Sequence, residues 1–408
     1  MSIGIVGAGI SGLHLALRLH QLGIDATLYT DETAEDIRAG RPRNFVTRFD
    51  STRARERALG VAHWESGESD NAWMHLHVEG GPSFRGKLPN PASSLDFRIY
   101  LAALLEDYVR RGGRLVRRSV PDRAGLAELV GEHDLLVVAA GRTALTEVFP
   151  RDPERSPYLA PRRHLVGGLY HGIEPPEPAG MSMHMIPGAG EIHAPSYYSF
   201  AGRVTAVLVE AVPGGPLDEL ARWDQAADPG GFGRALLNAI AVHAPSLRER
   251  VRELALTRPE DFLQGAVTPV VRHGWAEVAD GTFALAIGDA WIVNDPITAQ
   301  GANLGSRNAF QLAEVLRFST PPYDEEFCRK VSEQLWSTAG NVVDWTNLFI
   351  GEPRPHLGQL ISEAADDQRV ADAFVRNLDD PEAMWHSISG PEATARFLDR
   401  ARSAEAGA

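Results

Sequence analysis

The chain has 408 residues, which predicts two domains, and its 44% hydrophobic and 23% charged residues are typical of a soluble globular protein. A formal net charge of −14 argues against nucleic acid as the main partner. The single cysteine, Cys328, excludes an internal disulfide framework, and no apolar run reaches the length of about 18 residues that would predict a membrane span.

The N-terminal segment predicts a strand, a glycine turn, a helix and a second strand. Ile3–Val6 is a short apolar run of the kind that forms a strand buried on both faces. The leucine-rich residues 13–22, which follow the glycines, predict a helix that breaks at Gly23, and Asp25–Thr30 predicts the next strand. This order within about thirty residues is the context that a dinucleotide-binding glycine motif requires.

Later segments divide into two kinds. The first kind predicts further strands and helices of the same unit, namely a helix over 98–113, strands over 115–119, 134–141 and 283–289, and a helix over 301–316. The second kind lies in residues 160–215, where short apolar segments alternate with Gly, Pro and His. That pattern predicts a mostly antiparallel sheet, which forms a second domain inserted into the first.

The glycine turn is the first candidate site. Gly7 permits a tight turn, Gly9 lets the backbone approach a pyrophosphate, and Gly12 allows the helix to pack closely on the strand. The helix N-terminus would then face the phosphates. An acidic residue about twenty positions further on should bind a ribose hydroxyl. Asp31 is the candidate, although strand registration could place Thr30 there instead, and an ordinary glycine turn is the alternative to the whole motif.

A second candidate site follows much later in the chain. A predicted strand ends at Gly288 and Asp289, where the carboxylate could accept a hydrogen bond from a cofactor hydroxyl. The loop DPITAQGAN then leads into the helix that starts near Gly301, whose backbone N–H groups could stabilise an anionic ring edge. Alone, Asp289 could equally cap a turn.

Together these motifs resemble a known family. Their combination and order look like the FAD-dependent group E flavoprotein monooxygenases of the p-hydroxybenzoate hydroxylase fold, and more narrowly like the two-component styrene and indole monooxygenases. The resemblance covers roughly residues 1–350. It is carried by IGIVGAGISGLHL, TLYTD, LDFRIY, HDLLVVAAGRTAL, FLQGAVTPVVRHG, GDAWIVNDPITAQGAN and the WTN of residues 345–347.

The expected fold is α/β, and three regions are predicted. A Rossmann-like FAD-binding domain takes residues 1–70, 96–160 and 275–320. An inserted, mostly antiparallel β-sheet substrate-binding domain takes residues 71–95 and 161–274. Residues 321–408 form a helical C-terminal region.

The resemblance implies FAD as the cofactor and a role for each matching residue. Gly7, Gly9 and Gly12 would hold the pyrophosphate, with Asp31 or Thr30 at the adenosine ribose. The other cofactor-binding residues would be Arg98 at the phosphates, Ala139 and Gly141 on the adenosine side, Asp289 at the ribityl chain, and Pro296, Gln300, Gly301, Ala302 and Asn303 around the isoalloxazine ring. The alternative for the arginine is a surface helix cation.

The implied reaction is oxygen transfer. Reduced FAD would react with O2 to give a C4a-hydroperoxide, which an indole 2,3-double bond or an aryl alkene attacks in a dry, shaped pocket, so that the substrate is epoxidised or hydroxylated. A separate NAD(P)H flavin reductase would supply the reduced FAD, and a homodimer is possible. A single-component aromatic hydroxylase and a flavin-dependent halogenase are the alternatives, although the WxWxIP stretch of the halogenases is absent.

The substrate would contact the stretch GRPRNFVTRFD. Asn44 and Val46 match the styrene-type pattern, whereas Arg48 departs from it. With Pro296 these three are the candidate catalytic residues. Arg48 could anchor a carboxylate on a larger indole-containing specialised metabolite, or it could be a solvent-exposed cation or an FAD phosphate contact.

No metal site and no membrane attachment are expected. The histidines that invite a metal reading are His75, His77, His184 and His193, but no carboxylate or cysteine pattern completes a ligand set. The chain begins directly with a predicted strand and without a basic leader, so we expect a cytoplasmic protein.

Overall fold

The computed structural model describes residues 1–65, 67, 69–141 and 143–403. Eighteen strands in these ranges are numbered in chain order: β1 (Ser2–Val6), β2 (Asp25–Thr30), β3 (Thr47–Arg48), β4 (Asp70–Val78), β5 (Ser83–Ser94), β6 (Arg114–Arg117), β7 (Leu135–Val138), β8 (Arg163–Ile173), β9 (Gly180–Ile186), β10 (Gly190–Ala194), β11 (Ser196–Ser199), β12 (Gly202–Ala211), β13 (Val251–Leu256), β14 (Phe262–Val267), β15 (Val270–Val271), β16 (Trp275–Ala279), β17 (Thr282–Ala286) and β18 (Ile292–Val293).

Fifteen α-helices lie in the same ranges: α1 (Ile10–Gln21), α2 (Ala34–Ala39), α3 (Asp50–Leu59), α4 (Phe97–Arg110), α5 (Arg123–Ala127), α6 (Thr143–Thr146), α7 (Asp218–Arg222), α8 (Pro229–His243), α9 (Pro245–Arg248), α10 (Gly301–Arg317), α11 (Glu325–Ile350), α12 (Pro355–Asp366), α13 (Gln368–Arg376), α14 (Pro381–Ile388) and α15 (Pro391–Ser403). None of the helices in this part of the chain combines the length and the apolar character needed to cross a membrane.

The first sheet has six strands in the order β16-β17-β7-β1-β2-β6. Its inner strands pair in parallel, and β16 joins the edge as the antiparallel half of a hairpin with β17. All four residues of β7 are buried, as the unbroken apolar run Leu135–Val138 predicts for a strand covered on both faces. The predicted α/β fold with a Rossmann-like unit is confirmed.

The second sheet has ten strands, of which eight follow the order β13-β8-β12-β10-β9-β4-β5-β3. Its pairs are antiparallel except for β4 with β9, so the predicted mostly antiparallel character is confirmed. The short strand β3 joins its edge, although residues 1–70 were all assigned to the FAD-binding domain. The domain boundaries themselves stay a prediction.

The two faces of the second sheet have different neighbours. Side chains alternate along β12, since successive residues of a strand point to opposite faces. Val209 packs in the cluster that holds Phe232 and Ile240 of α8, whereas Leu208 lines the main cavity. Glu210 therefore points to the same side as Leu208, towards the cavity.

The C-terminal residues are helical, as predicted. Helix α13 packs on β5, where a Cβ on Gly86 would lie 2.5 Å from a methyl group of Val375. The same region also contacts the segment before α10, where the carbonyl of Leu378 accepts a hydrogen bond from Gln300 Nε2 at 2.8 Å. Residues 404–408 of the predicted helical region lie outside the described ranges.

A buried polar network around Arg48 joins the second sheet to four helices. The Arg48 side chain is 1% exposed, and its Nη1 lies 2.5 Å from Glu56 Oε2. Glu56 Oε1 accepts a hydrogen bond from the Tyr100 hydroxyl at 2.8 Å, which in turn lies 2.8 Å from His14 Nε2. His14 Nδ1 then contacts Ser306 Oγ at 2.9 Å. The network thus connects β3 with α3, α4, α1 and α10.

Arg48 is therefore neither a substrate anchor nor an exposed cation, and those expectations are wrong. Its guanidinium also stacks over the Tyr100 ring at 4.7 Å and donates to Ser93 Oγ at 2.8 Å. With Nη1 held by a buried carboxylate and Nη2 by a neighbouring hydroxyl, the guanidinium has no free pair of terminal donors for a ligand, although its buried Nε has no partner among the described residues. The sequence could not reveal this, because the partners come from three different elements.

Substitution of Glu56 tests the importance of this network for stability. In Glu56→Ala the buried Arg48 charge loses its counter-ion, which should lower the free energy of unfolding by about 3–5 kcal/mol. The measurement is denaturant unfolding, with Glu333→Ala as the control. Glu333 makes an exposed pair with Arg329 on α11, so its loss should change stability very little. Equal stabilities for the two variants would contradict the assigned network.

Candidate active site

A cavity of about 610 Å³ lies between the two sheets. Its walls come from the C-terminal ends of β1, β2 and β7, from the segment 40–46, from the cavity-facing side of the second sheet, and from the loop before α10. The volume is within the range of about 300–1,000 Å³ that small-molecule sites occupy. The carboxyl ends of parallel strands are also where open α/β sheets bind their ligands.

The glycine turn forms the floor at one end. Gly7 has a φ of +112°, which only glycine adopts readily, and a Cβ there would lie 2.8 Å from the Ala140 nitrogen. A Cβ on Gly12 would lie 1.9 Å from the Gly7 carbonyl oxygen, so this glycine permits the close packing of α1. Gly9 differs, because its Cβ would meet only the Ala139 oxygen at 3.9 Å and otherwise points into open space.

The turn thus fits a cofactor pyrophosphate. Helix α1 begins at Ile10, directly after the open face of Gly9, so its N-terminal N–H groups and the positive end of its dipole meet the cavity. A backbone that lacks a side chain at this position lets a phosphate approach closely. The open space at Gly9 and the N-terminus of α1 therefore support the inference that the motif binds a dinucleotide cofactor.

The two candidates for the ribose contact both line the cavity at the end of β2. Thr30 is buried, and its hydroxyl oxygen accepts a hydrogen bond from Glu32 N at 3.2 Å. Asp31 keeps part of its side chain exposed. Both residues stay candidates, and the ribose contact stays a prediction.

Arg98 is buried at the start of α4 and lines the cavity. Its Nη2 lies 2.5 Å from Asp96 Oδ2 and 2.5 Å from Asp261 Oδ1. Although burial favours the neutral acid, hydrogen bonds from Arg258, Thr257 and Arg98 lower the pKa of Asp261 to about 2. The surface-cation alternative for Arg98 is wrong, whereas its contact with phosphate stays a prediction.

The far end of the cavity is framed by the loop before α10. A short 3-10 turn, Pro296–Thr298, is followed by Ala299 with a left-handed φ of +53° and by the first turn of α10. A Cβ on Gly301 would meet nothing within 4 Å, and the side-chain nitrogen of Asn294 is buried without a partner among the described residues. An open helix N-terminus beside an unpaired donor suits the polar edge of a flavin ring.

Two residues of that loop do not face the cavity. Gln300 donates to the Leu378 carbonyl, and Asn303 Oδ1 accepts from Phe49 N at 3.0 Å while its nitrogen donates to Thr47 O at 2.9 Å. Both amides fix neighbouring loops. Gln300 and Asn303 therefore do not frame the ring with their side chains, whose hydrogen bonds turn them away from the cavity, while a contact from their backbone stays a prediction.

Most of the site residues predicted from the sequence lie together around the cavity. Those that line the cavity are Gly7, Gly9, Thr30, Asp31, Asn44, Val46, Arg98, Ala139, Gly141, Asp289, Pro296, Gly301 and Ala302. Gly12, Arg48, Gln300 and Asn303 lie behind it. Asp289 reaches the cavity beside Gly141, since a Cβ on that glycine would lie 2.7 Å from the Asp289 Cβ.

Sequence reasoning missed most of the apolar wall. Leu165, Leu208 and Leu263 of the second sheet line the cavity together with Phe45, whose ring packs on Tyr197 at 5.8 Å. It also missed the buried carboxyl group of Glu210. A single acidic residue within the apolar run VTAVLVEAV was the available signal, since charges are rarely buried without a reason.

The four histidines do not form one cluster. The rings of His77 and His184 stack at 4.8 Å, whereas His193 pairs across the sheet with Leu208 on the cavity-facing side. Over the described ranges, no group of three or more His, Cys, Asp and Glu side chains is arranged to hold a metal ion.

The fold defines the class of the protein. The structure is similar to the flavin-dependent brominase Bmp2, with a TM-score of 0.71 and 14% identity over 98% of each chain. It is also similar to 2-methyl-3-hydroxypyridine-5-carboxylic acid oxygenase, with a TM-score of 0.60 and 15% identity over 93% of this chain and 97% of that one. At these identities the likeness establishes the flavin-dependent monooxygenase and halogenase fold alone.

Sequence comparison gives the family. Residues 141–250 match the family described as "Styrene monooxygenase A putative substrate binding domain". Styrene monooxygenase StyA from Pseudomonas fluorescens is 33% identical over 98% of this chain and 97% of its own length, and StyA from a Pseudomonas species is 34% identical over the same shares. The chain belongs to the styrene monooxygenase family and is an FAD-dependent monooxygenase.

Gly9→Ala tests the pyrophosphate cradle. The added methyl group meets no protein atom closer than 3.9 Å, so the FAD-free protein should keep its melting temperature. It would occupy the space of a phosphate, so FAD affinity should fall by about tenfold or more, as measured by titration calorimetry. Gly233→Ala on α8, where nothing lies within 4 Å, is the control and should bind FAD normally. Unchanged FAD binding in Gly9→Ala would remove the turn from the cofactor site.

Proposed function

We propose that this protein transfers one oxygen atom from O2 to the carbon–carbon double bond of a small apolar aromatic substrate, an aryl alkene such as styrene or the 2,3-bond of an indole. The observation that carries the proposal is that one continuous cavity is lined both by the glycine turn and by an apolar wall. Bound FAD in its reduced form would supply the activation of O2. The name of the relatives, styrene monooxygenase, supports the aryl alkene.

The apolar wall is the contribution of the chain to this chemistry. Val46 from the segment 40–46 and Leu165, Leu208 and Leu263 from the second sheet exclude water from one side of the cavity. Such a wall orients an arene by shape and leaves the double bond as the reactive group. Electrophilic oxygen transfer to an alkene needs no side-chain base, so this wall is sufficient as a substrate site.

A neutral substrate is favoured over an acidic one. The suggestion of an acidic, larger indole metabolite depended on Arg48, whose charge is balanced by Glu56. Asn44 and Val46 remain as proposed substrate contacts, and Pro296 begins a turn that also lines the cavity. Larger indole-containing specialised metabolites are therefore second to styrene and indole as proposed substrates.

We also propose that a separate NAD(P)H-dependent flavin reductase supplies the reduced FAD. One glycine fingerprint occurs in the sequence, at Gly7, Gly9 and Gly12, and the cavity beside it is accounted for by FAD. A nicotinamide cofactor would then be bound by the reductase.

The activity is tested with purified protein, a flavin reductase, FAD and NADH. Styrene should give its epoxide, and indole and substituted indoles should give 2,3-oxygenation products, identified by mass spectrometry. Omission of the reductase should abolish turnover unless chemically reduced FAD is added. If all these substrates remain unchanged, the proposal fails; brominated products on addition of bromide would point to a halogenase instead.

Leu208→Trp tests the position of the substrate. The larger ring would fill the wall of the cavity, so KM for substituted indoles should rise by about tenfold or more, while styrene is affected less. FAD affinity should stay the same, because the glycine turn lies at the other end of the cavity. Leu159→Trp is the control, since Leu159 is 85% exposed. Equal effects on large and small substrates would contradict this assignment.

A further inference from the structure

Two buried carboxyl groups lie next to each other beside the loop before α10, at the end of the cavity far from the glycine turn. Asp295 is 1% exposed and directly precedes the Pro296–Thr298 turn, and Glu210 of β12 is 0% exposed. Their side chains lie within hydrogen-bonding reach of each other. Asp295 Oδ1 accepts from Ile297 N at 3.2 Å, but Asp295 Oδ2 and both Glu210 oxygens have no donor among the described residues.

Such a pair is stable only if it holds a proton. Two ionised carboxylates in contact inside a protein repel each other and lack the hydration that would compensate them. A proton on one of them converts the repulsion into an O–H···O hydrogen bond. Burial, then the charge of Asp295, raises the pKa of Glu210 well above its usual range, and burial raises the pKa of Asp295 to about 6.

The neighbouring groups do not remove the need for that proton. Arg163 of β8 is held by Glu191 of β10, through bonds of 2.7 Å and 2.9 Å to both carboxylate oxygens. Burial, then Arg163, lowers the pKa of His193 to about 4, so this imidazole is neutral at pH 7. Its Nε2 lies 3.3 Å from Glu210 Oε1, outside hydrogen-bond geometry.

We propose that Glu210 and Asp295 share one proton, with Glu210 as its usual holder, and that Asp295 delivers this proton into the cavity during oxygen transfer. The delivery rests on the proposed function. Anionic reduced flavin, O2 and the substrate give oxidised flavin, oxygenated substrate and water only if one further proton is supplied. The flavin is oxidised, O2 is reduced, and one oxygen atom goes to the substrate while the other leaves in the water.

The proposed path runs through Asp295, because this residue both adjoins Glu210 and lines the cavity. The proton leaves a Glu210 oxygen, passes through the Asp295 carboxyl group, and reaches the oxygen atom that departs as water. Glu210 then regains a proton from water at His193, the adjacent titratable side chain, which keeps 18% of its surface exposed. Glu210 acts through Asp295, so its role is that of a positioning residue that stores the proton.

Glu210→Gln tests the shared proton without FAD. The amide keeps the size of the side chain and a donor for Asp295, but it cannot release the proton. Infrared spectra of the FAD-free wild type should contain the carbonyl band of a buried protonated carboxyl group, and the variant should lack it. Asp295→Asn removes the partner acid but leaves Glu210 buried, so the band should remain and shift in frequency as the hydrogen-bond partner of Glu210 changes; this variant serves if Glu210→Gln folds poorly.

Stability against pH gives a second readout on the FAD-free protein. A carboxyl group with a raised pKa keeps its proton in the folded state after the unfolded chain has lost it. The unfolding equilibrium should therefore shift towards the unfolded state as the pH rises from about 4 to 6, by up to about tenfold per pH unit for one proton. This slope should flatten in Glu210→Gln and persist in Glu253→Gln, a control on the exposed face of β13.

With FAD bound, the variant separates binding from proton delivery. Glu210→Gln should bind FAD within about twofold of the wild type but form product from pre-reduced FAD about 10- to 100-fold more slowly, with the wild-type pH dependence lost. Glu253→Gln should retain both. An unchanged pH profile in Glu210→Gln, or no protonated carboxyl band in an active wild type, overturns the proposal. If the wild type has the infrared band and Glu210→Gln lacks it, but neither styrene nor indole is oxygenated, the proposed function and the proton delivery fail. The shared proton would still be supported.

Discussion

The structure depends on the buried ion pair between Arg48 and Glu56. Neither charge can leave its partner without a large desolvation penalty, so the pair fixes β3 against α3. The Tyr100 hydroxyl donates to Glu56, so His14 Nε2–H donates to the tyrosine oxygen and His14 Nδ1 accepts from Ser306. Burial, then Arg55 and Arg48, lowers the pKa of His14 to about 3, which keeps the imidazole in this neutral form. Helices α1 and α10, whose N-termini meet the cavity, are thus held by one continuous chain of hydrogen bonds.

The cavity is a product of this arrangement. Its glycine floor belongs to the parallel sheet and its apolar wall to the second sheet, and the loop before α10 closes the other end. The same fold occurs in a brominase and in a pyridine-ring oxygenase, so the fold alone does not select the reaction. Under the proposed function, the wall residues Val46, Leu165 and Leu208 would be the part of this chain that selects an apolar aromatic substrate.

The buried charges around the cavity follow two patterns. Arg98 is held by Asp96 and Asp261, just as Arg48 is held by Glu56, so these cations are balanced within the protein. Glu210 and Asp295 are two acids in contact, and their balance requires a proton rather than a cation. Buried acids that share a proton next to a cavity are candidates for proton transfer, because titratable groups with strongly shifted pKa values cluster at functional sites.

The sequence by itself determined the strand–turn–helix–strand unit, the buried strand β7, the packing role of Gly12 and the family. These features are local, because strand periodicity, glycine spacing and helix breaks act over a few neighbouring residues. Only the tertiary structure decided that Arg48 is neutralised by Glu56, that Gln300 and Asn303 turn away from the cavity, and that Glu210 meets Asp295. The partner of a long polar side chain depends on which distant elements pack around it, and no local pattern encodes that contact.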